Sequence, residues 1–195
     1  MTEHAGGADL DQRRDDLSKG DGAAVAEWVI RDASTAALVT RVLARNADPD
    51  DIVGRAWEST LVDLVRNRTA GRLRPVLLAR IVALLRQEGL VDDADGVPLP
   101  AEALFASAGE DERWAGWYVE DPIEWPPGTD LTPRRVEGVL RHLPVGARAV
   151  LVFRDVAGLT AEEADEVMAV LRVPPVPLEV ARNAFIRGVD REVSG

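Results

Sequence analysis

Residues 48–64 read DPDDIVGRAWESTLVDL, and this stretch decides the fold class. Asp48 is suited to cap a helix and Pro49 to fill its first position, where the missing amide costs no hydrogen bond. Ile52, Val53, Trp57, Thr60, Leu61 and Leu64 then recur at three- and four-residue spacings, which a helix gathers onto one face. Asp48, Asp50 and Asp51 complement the positive end of the helix dipole. Upstream, Ala24, Trp28 and, after Ser34, Leu38, Val39, Val42 and Leu43 keep the same helical spacing, and Asn46 ends a helix. Downstream, Gly71 breaks the chain, and Leu73 to Glu88 reads as a further helix that Gly89 can cap. Gly22 to Gly89 is therefore expected to form a compact three- or four-helix unit.

The last third repeats these signals. Thr132-Pro133 is again a cap followed by proline, and Val136, Val139, Leu140 and Leu143 form a stripe that Pro144 ends. Val145 to Val156 predicts a strongly apolar helix closed by Gly158. Thr160-Ala161-Glu162-Glu163 is a capping box opening a helix through Met168. A turn containing Pro174, Pro175 and Pro177 leads to a final helix from about Leu178 to Asp190. Capped short helix, turn and final helix is the order of a helix-turn-helix unit. Between the two helical parts, residues 90–131 hold five prolines, three of the five tryptophans (Trp114, Trp117, Trp125) and eleven acids. This reads as a linker with parts that dock. Residues 1–20, polar and small, read as an arm.

The chain has 195 residues, 46% hydrophobic and 29% charged, which suits a folded globular protein and is too apolar for global disorder. It has no cysteine, excluding disulfides, thiol catalysis and Cys-ligated metal. No apolar run approaches the roughly 20 residues that span a bilayer. The N-terminus lacks the basic start and apolar stretch of a signal peptide, so a cytoplasmic location and no membrane partner are expected. The net charge of −11 is unevenly spread. Residues 41–87 carry nine arginines against five acids, whereas residues 88–137 carry three basic residues against thirteen acids.

No catalytic constellation emerges, and neither an enzyme nor a cofactor is expected. His4 and His142 have no ligand or triad partner at useful spacing, and Lys19 is the only lysine. GxSxG, GxGxxG and HExxH are absent. Asp93, Asp95, Gly96 and Glu102 match four positions of a calcium loop, but Val91 stands at its first position and Pro98 and Pro100 stiffen it. The cluster Arg66, Arg68, Arg72, Arg74, Arg80 and Arg86 admits two readings, a nucleic-acid surface or a face solvated or paired with acids. The stripe Val53, Trp57, Leu61 and Leu64 reads as core.

DPDDIVGRAWESTLVDL (48–64), GRLRPVLLARIVALLR (71–86), the acidic linker, LPVGARAVLVFRDVAGLTAEEADEVM (143–168) and VARNAFIRG (180–188) together resemble a bacterial extracytoplasmic-function (ECF) RNA polymerase sigma factor. The match is collinear over nearly all of residues 22–191. The resemblance implies an all-α chain of two small helical domains. Residues 22–89 would be a sigma region 2-like bundle and 132–195 a sigma region 4-like helix-turn-helix, joined by the acidic linker 90–131 and preceded by a flexible arm, 1–21.

In function, the resemblance implies a transcription initiation factor that binds core RNA polymerase and directs it to promoter DNA. Asp48, Asp51, Ile52, Arg55 and Trp57 would lie at the polymerase contact. Arg72, Arg74 and Arg80 would lie beside promoter DNA, and Arg182, Asn183 and Arg187 on the recognition helix, where such side chains read base edges or hold phosphates. An anti-sigma partner is compatible with the family. The chain departs from the family pattern in having Gly54-Arg55 in place of Gln-Glu, Val76–Leu78 where a tryptophan is usual, and a long turn over Leu171–Pro177. These departures keep open a sigma-like regulator without promoter recognition, and a helical adaptor that binds only another protein.

Overall fold

The computed structural model describes residues 21–44, 46–66, 72–91, 132–174 and 176–194. The arm 1–20 with His4 and Lys19, Arg68, Gly71, Pro175 and the stretch 92–131, with its three tryptophans and calcium-like spacing, lie outside the described residues.

Seven α-helices and no strand are found among the described residues. The first three are α1 (Gly22–Leu43), α2 (Pro49–Val65) and α3 (Leu73–Gln87). Each begins and ends for a local reason. The Asp21 carboxylate accepts from the Ala23 amide at 2.8 Å, and Asp48 accepts from Asp50 at 3.0 Å with Pro49 following it. At the end of α3, Gly89 takes φ +66°. Its amide reaches the Arg86 carbonyl (3.2 Å), and Leu90 reaches Leu85 (2.9 Å). This pair of bonds is a Schellman motif, and it satisfies carbonyls the helix would otherwise strand. A single antiparallel bridge then pairs Val91 with Ala44, tying the exit of α3 to the exit of α1.

The remaining helices are α4 (Pro133–His142), α5 (Val145–Leu151), α6 (Ala161–Leu171) and α7 (Leu178–Ser194). The regular helix expected over Val145–Val156 is α-helical only to Leu151. It continues as a π-helical turn, Val152–Val156, in which the Ala157 amide reaches five residues back to Val152 at 2.8 Å. The wider ring keeps Val152, Phe153 and Ala157 fully buried together. The capping box forms as the spacing predicts, with Glu163 N–H donating to Thr160 Oγ1 (3.2 Å) and Thr160 N–H to Glu163 Oε2 (2.8 Å). Arg172 ends α6 in the left-handed region at φ +58°, a conformation costing a non-glycine residue about 1 kcal/mol.

α3 lies at the centre, packed against α2 and α1 on one side and against α6 on the other. α1 also touches α4, α5 and the π turn, while α7 packs on α4 and α5. One apolar core therefore runs from Trp28, Leu77 and Leu85 through to Phe153 and Leu171. Trp28 meets Trp57 edge to face, ring centroids 4.4 Å apart, a geometry that adds roughly 1 kcal/mol to the area both bury. Gly146 lets the proline-rich turn settle onto α5, since a Cβ there would sit 2.8 Å from the Pro174 carbonyl oxygen.

Candidate functional site

Arg72 and Arg74 at the start of α3 and Arg80 midway along it are each held by a carboxylate of this chain. Arg72 Nη1 donates to both oxygens of Glu163, at 2.8 and 3.0 Å, across the seam between α3 and α6. Glu163 thus serves two masters: it closes the capping box of α6 and it neutralises Arg72. Charge assistance makes the Arg72 bonds stronger than neutral ones, while their partial exposure leaves the pair open to water and salt.

Arg74 enters a more enclosed network. Its Nε and Nη2 donate to Asp32 Oδ1 at 2.9 and 2.5 Å, and Nη1 donates to the Ala157 carbonyl at 2.8 Å. Asp32 is 1% exposed, and its other oxygen accepts from Trp28 Nε1 at 2.8 Å. The chain Trp28–Asp32–Arg74–Ala157 therefore fastens α1 to α3 and α3 to the segment after the π turn. A carboxylate this deep is tolerated because its charge and its acceptor sites are matched on the spot. Arg80, two turns further along α3, donates to Ser59 Oγ (2.6 Å) and to Asp63 on α2.

The residues expected at a polymerase contact divide by burial. Ile52 and Trp57 are 2% and 7% exposed and belong to the core. Asp48 is exposed as the helix cap. Asp51 and Arg55 share the outer face of α2, paired at 3.1 Å, and Arg55 reaches across to Glu88 at 2.5 Å. The Glu88 hydrogen bond, followed by that of Asp51, raises the Arg55 pKa above the ordinary arginine value. Val62 and Val65 extend this same exposed side as large apolar groups.

On α7, Arg182 is gripped by Asp155 in a forked contact (Nε–Oδ2 3.0 Å, Nη2–Oδ1 2.6 Å) and by Glu179 at 2.9 Å. The Asp155 bond is the main reason its pKa is raised. Asn183 and Arg187 follow, both half-buried. Arg182 thus lies with Asp155 and the π turn, Arg72 lies at the α3–α6 seam, and Arg74 lies with Asp32 of α1 and the Ala157 carbonyl.

Beside the Arg72–Glu163 pair runs a groove of about 560 Å³ between α3 and α6. Val76, Ala79 and Ala83 form one wall and Val167 and Val170 the other. Among the described residues no group of three or more His, Asp or Glu side chains is arranged to hold a metal ion. The arrangement is one of charge pairs over apolar walls.

Asp32, Asp155 and the second role of Glu163 were outside the sequence expectations. Asp32 left a trace: it stands four residues after Trp28 and four before Ala36, inside an apolar stripe. The sequence offers no such trace for the partners of Arg72 and Arg182, which depend on the tertiary fold. No helix among the described residues is long and apolar enough to cross a membrane. Comparison of the chain with protein-family models, with curated proteins and with solved structures returns no match.

Proposed function

We propose that this protein is a transcription initiation factor of the ECF sigma type, which binds core RNA polymerase and directs it to promoter DNA in the cytoplasm. The observation that carries this reading is the helix order. An acid-capped helix with an exposed Asp51–Arg55 face leads into a helix with arginines at its start, and a capped α6 leads through a turn into α7. In this reading the outer face of α2 meets polymerase and α3 faces promoter DNA. α7 supplies Arg182, Asn183 and Arg187 to the upstream element. The protein works by binding and catalyses nothing itself.

A second reading is favoured by one observation: Arg72, Arg74, Arg80 and Arg182 are all engaged by carboxylates of the same chain. A sigma-like regulator that holds polymerase without reading a promoter would look like this. Gel filtration with core RNA polymerase at moderate salt tests what the two readings share, since both require co-elution. Run-off transcription with the co-eluting complex then separates them, because only the first yields promoter-specific transcripts. A folded protein that fails to co-elute removes both.

A further inference from the structure

We infer that the α3–α6 seam is an autoinhibitory latch, in which Glu163 occupies Arg72 in place of a nucleic-acid phosphate. This inference rests on the proposed nucleic-acid role of α3 and gives that role a regulation.

The geometry has three parts. Glu163 presents both carboxylate oxygens to one Arg72 nitrogen, so an anion of this chain already sits on the guanidinium that a phosphate would need. The two residues are 91 positions apart, so the contact exists only when the two helical parts are packed together. Arg74 beside it stays with the buried Asp32 of α1 whether or not the seam is closed, so Arg72 is the cation that the seam controls. Closing the seam therefore withdraws Arg72 from the start of α3, and opening it returns it.

The seam is suited to reversal. Arg72 and Glu163 are 32% and 18% exposed, so water and salt reach the pair. Beside it the two helices do not close tightly but leave the groove walled by Val76, Ala79 and Val167. Glu163 also keeps a bond to the Thr160 amide that does not depend on Arg72, so α6 retains its cap when the latch is open. A polyanion that takes Arg72 from Glu163 binds only the open arrangement and shifts the population towards it.

Glu163→Gln is the informative variant, because glutamine still completes a capping box but offers no charge to Arg72. Arg72→Gln breaks the same pair and removes the cation as well. Both full-length variants are compared with the parent in two measurements. Hydrogen exchange of α3 and α6 amides reads the seam directly. Fluorescence anisotropy with a labelled duplex of about 25 base pairs, at about 50 and 150 mM salt, reads nucleic-acid binding.

The expected result is exchange about two- to fivefold faster at the seam in both variants, as for loss of one partly exposed ion pair. Duplex affinity rises about two- to fivefold in Glu163→Gln alone, with a salt slope steeper by about one phosphate contact. The double variant should match Arg72→Gln. Unchanged exchange in both variants overturns the latch. Faster exchange with no gain in duplex affinity overturns its masking role. If the parent and every variant also ignore the duplex, the nucleic-acid reading of α3 has failed, while the exchange data still judge the seam.

Discussion

Replacing Asp32 by alanine should be among the most damaging single changes to this fold. Asp32 is 1% exposed and serves two donors, the fully buried Trp28 indole N–H and the Arg74 guanidinium. Its removal leaves the indole N–H without a partner in the core, at a cost of about 1–3 kcal/mol. Breaking a fully buried ion pair from one side costs about 3–5 kcal/mol. Arg74 loses less than this, because its side chain is 25% exposed and keeps the Ala157 carbonyl. The two effects together come to about 3–4 kcal/mol, a large share of the 5–15 kcal/mol that holds a typical domain folded. For a chain of 195 residues this corresponds to a Tm lower by about 10 °C. Thermal and urea unfolding followed by circular dichroism measure it. Asp32→Asn, which keeps an acceptor for Trp28 but not the charge, should fall between parent and alanine. In the double variant with Arg74→Met, the two losses should overlap by at least about 1.5 kcal/mol. A loss below about 1 kcal/mol for Asp32→Ala, or strict additivity in the double variant, would refute the network.

Three further outcomes are expected. Thr160→Ala removes the acceptor for the Glu163 amide and should cost about 1 kcal/mol in urea unfolding, whereas Thr160→Ser should cost far less. Gly146→Ala places a methyl 2.8 Å from the Pro174 carbonyl and should cost about 1–3 kcal/mol, with faster hydrogen exchange confined to the proline turn and α5. Arg182→Gln should cost at most about 1 kcal/mol, since the side chain is 43% exposed. Its loss should be the same at about pH 7 and about pH 10. A cation whose folded pKa is raised contributes fully below the unfolded arginine value and loses that contribution only as pH climbs through the folded one. Unfolding curves for parent and variant at both pH values check the sign.

Much of the helical framework was legible because its signals are local. Asp48-Pro49, the Thr160–Glu163 box and Gly89 act within four residues of themselves, and the structure uses each as its chemistry suggests. The π turn was not legible, because an apolar run such as VLVFRDV satisfies either helical period until its neighbours decide. The same limit applied to the arginines. Their spacing marks a basic stretch, but Arg74 finds Asp32 42 residues away and Arg72 finds Glu163 91 residues away. Composition cannot distinguish an arginine facing solvent from one already matched. Ile52 and Trp57 show the converse: a helix that carries an exposed charged face also needs an apolar face to dock, and these two residues supply it.

The double duty of Glu163 has a spectroscopic consequence. The Thr160 amide hydrogen points at Oε2, the same oxygen that receives Arg72 at 2.8 Å. A change in what that oxygen accepts will alter the electron density drawn from the amide, and so its proton and nitrogen resonance frequencies. Thr160 is thus a label the chain already carries. One cross-peak, followed during titration with salt, duplex or polymerase fragments, would report the state of a contact between segments that are far apart in sequence, with no dye or cysteine introduced.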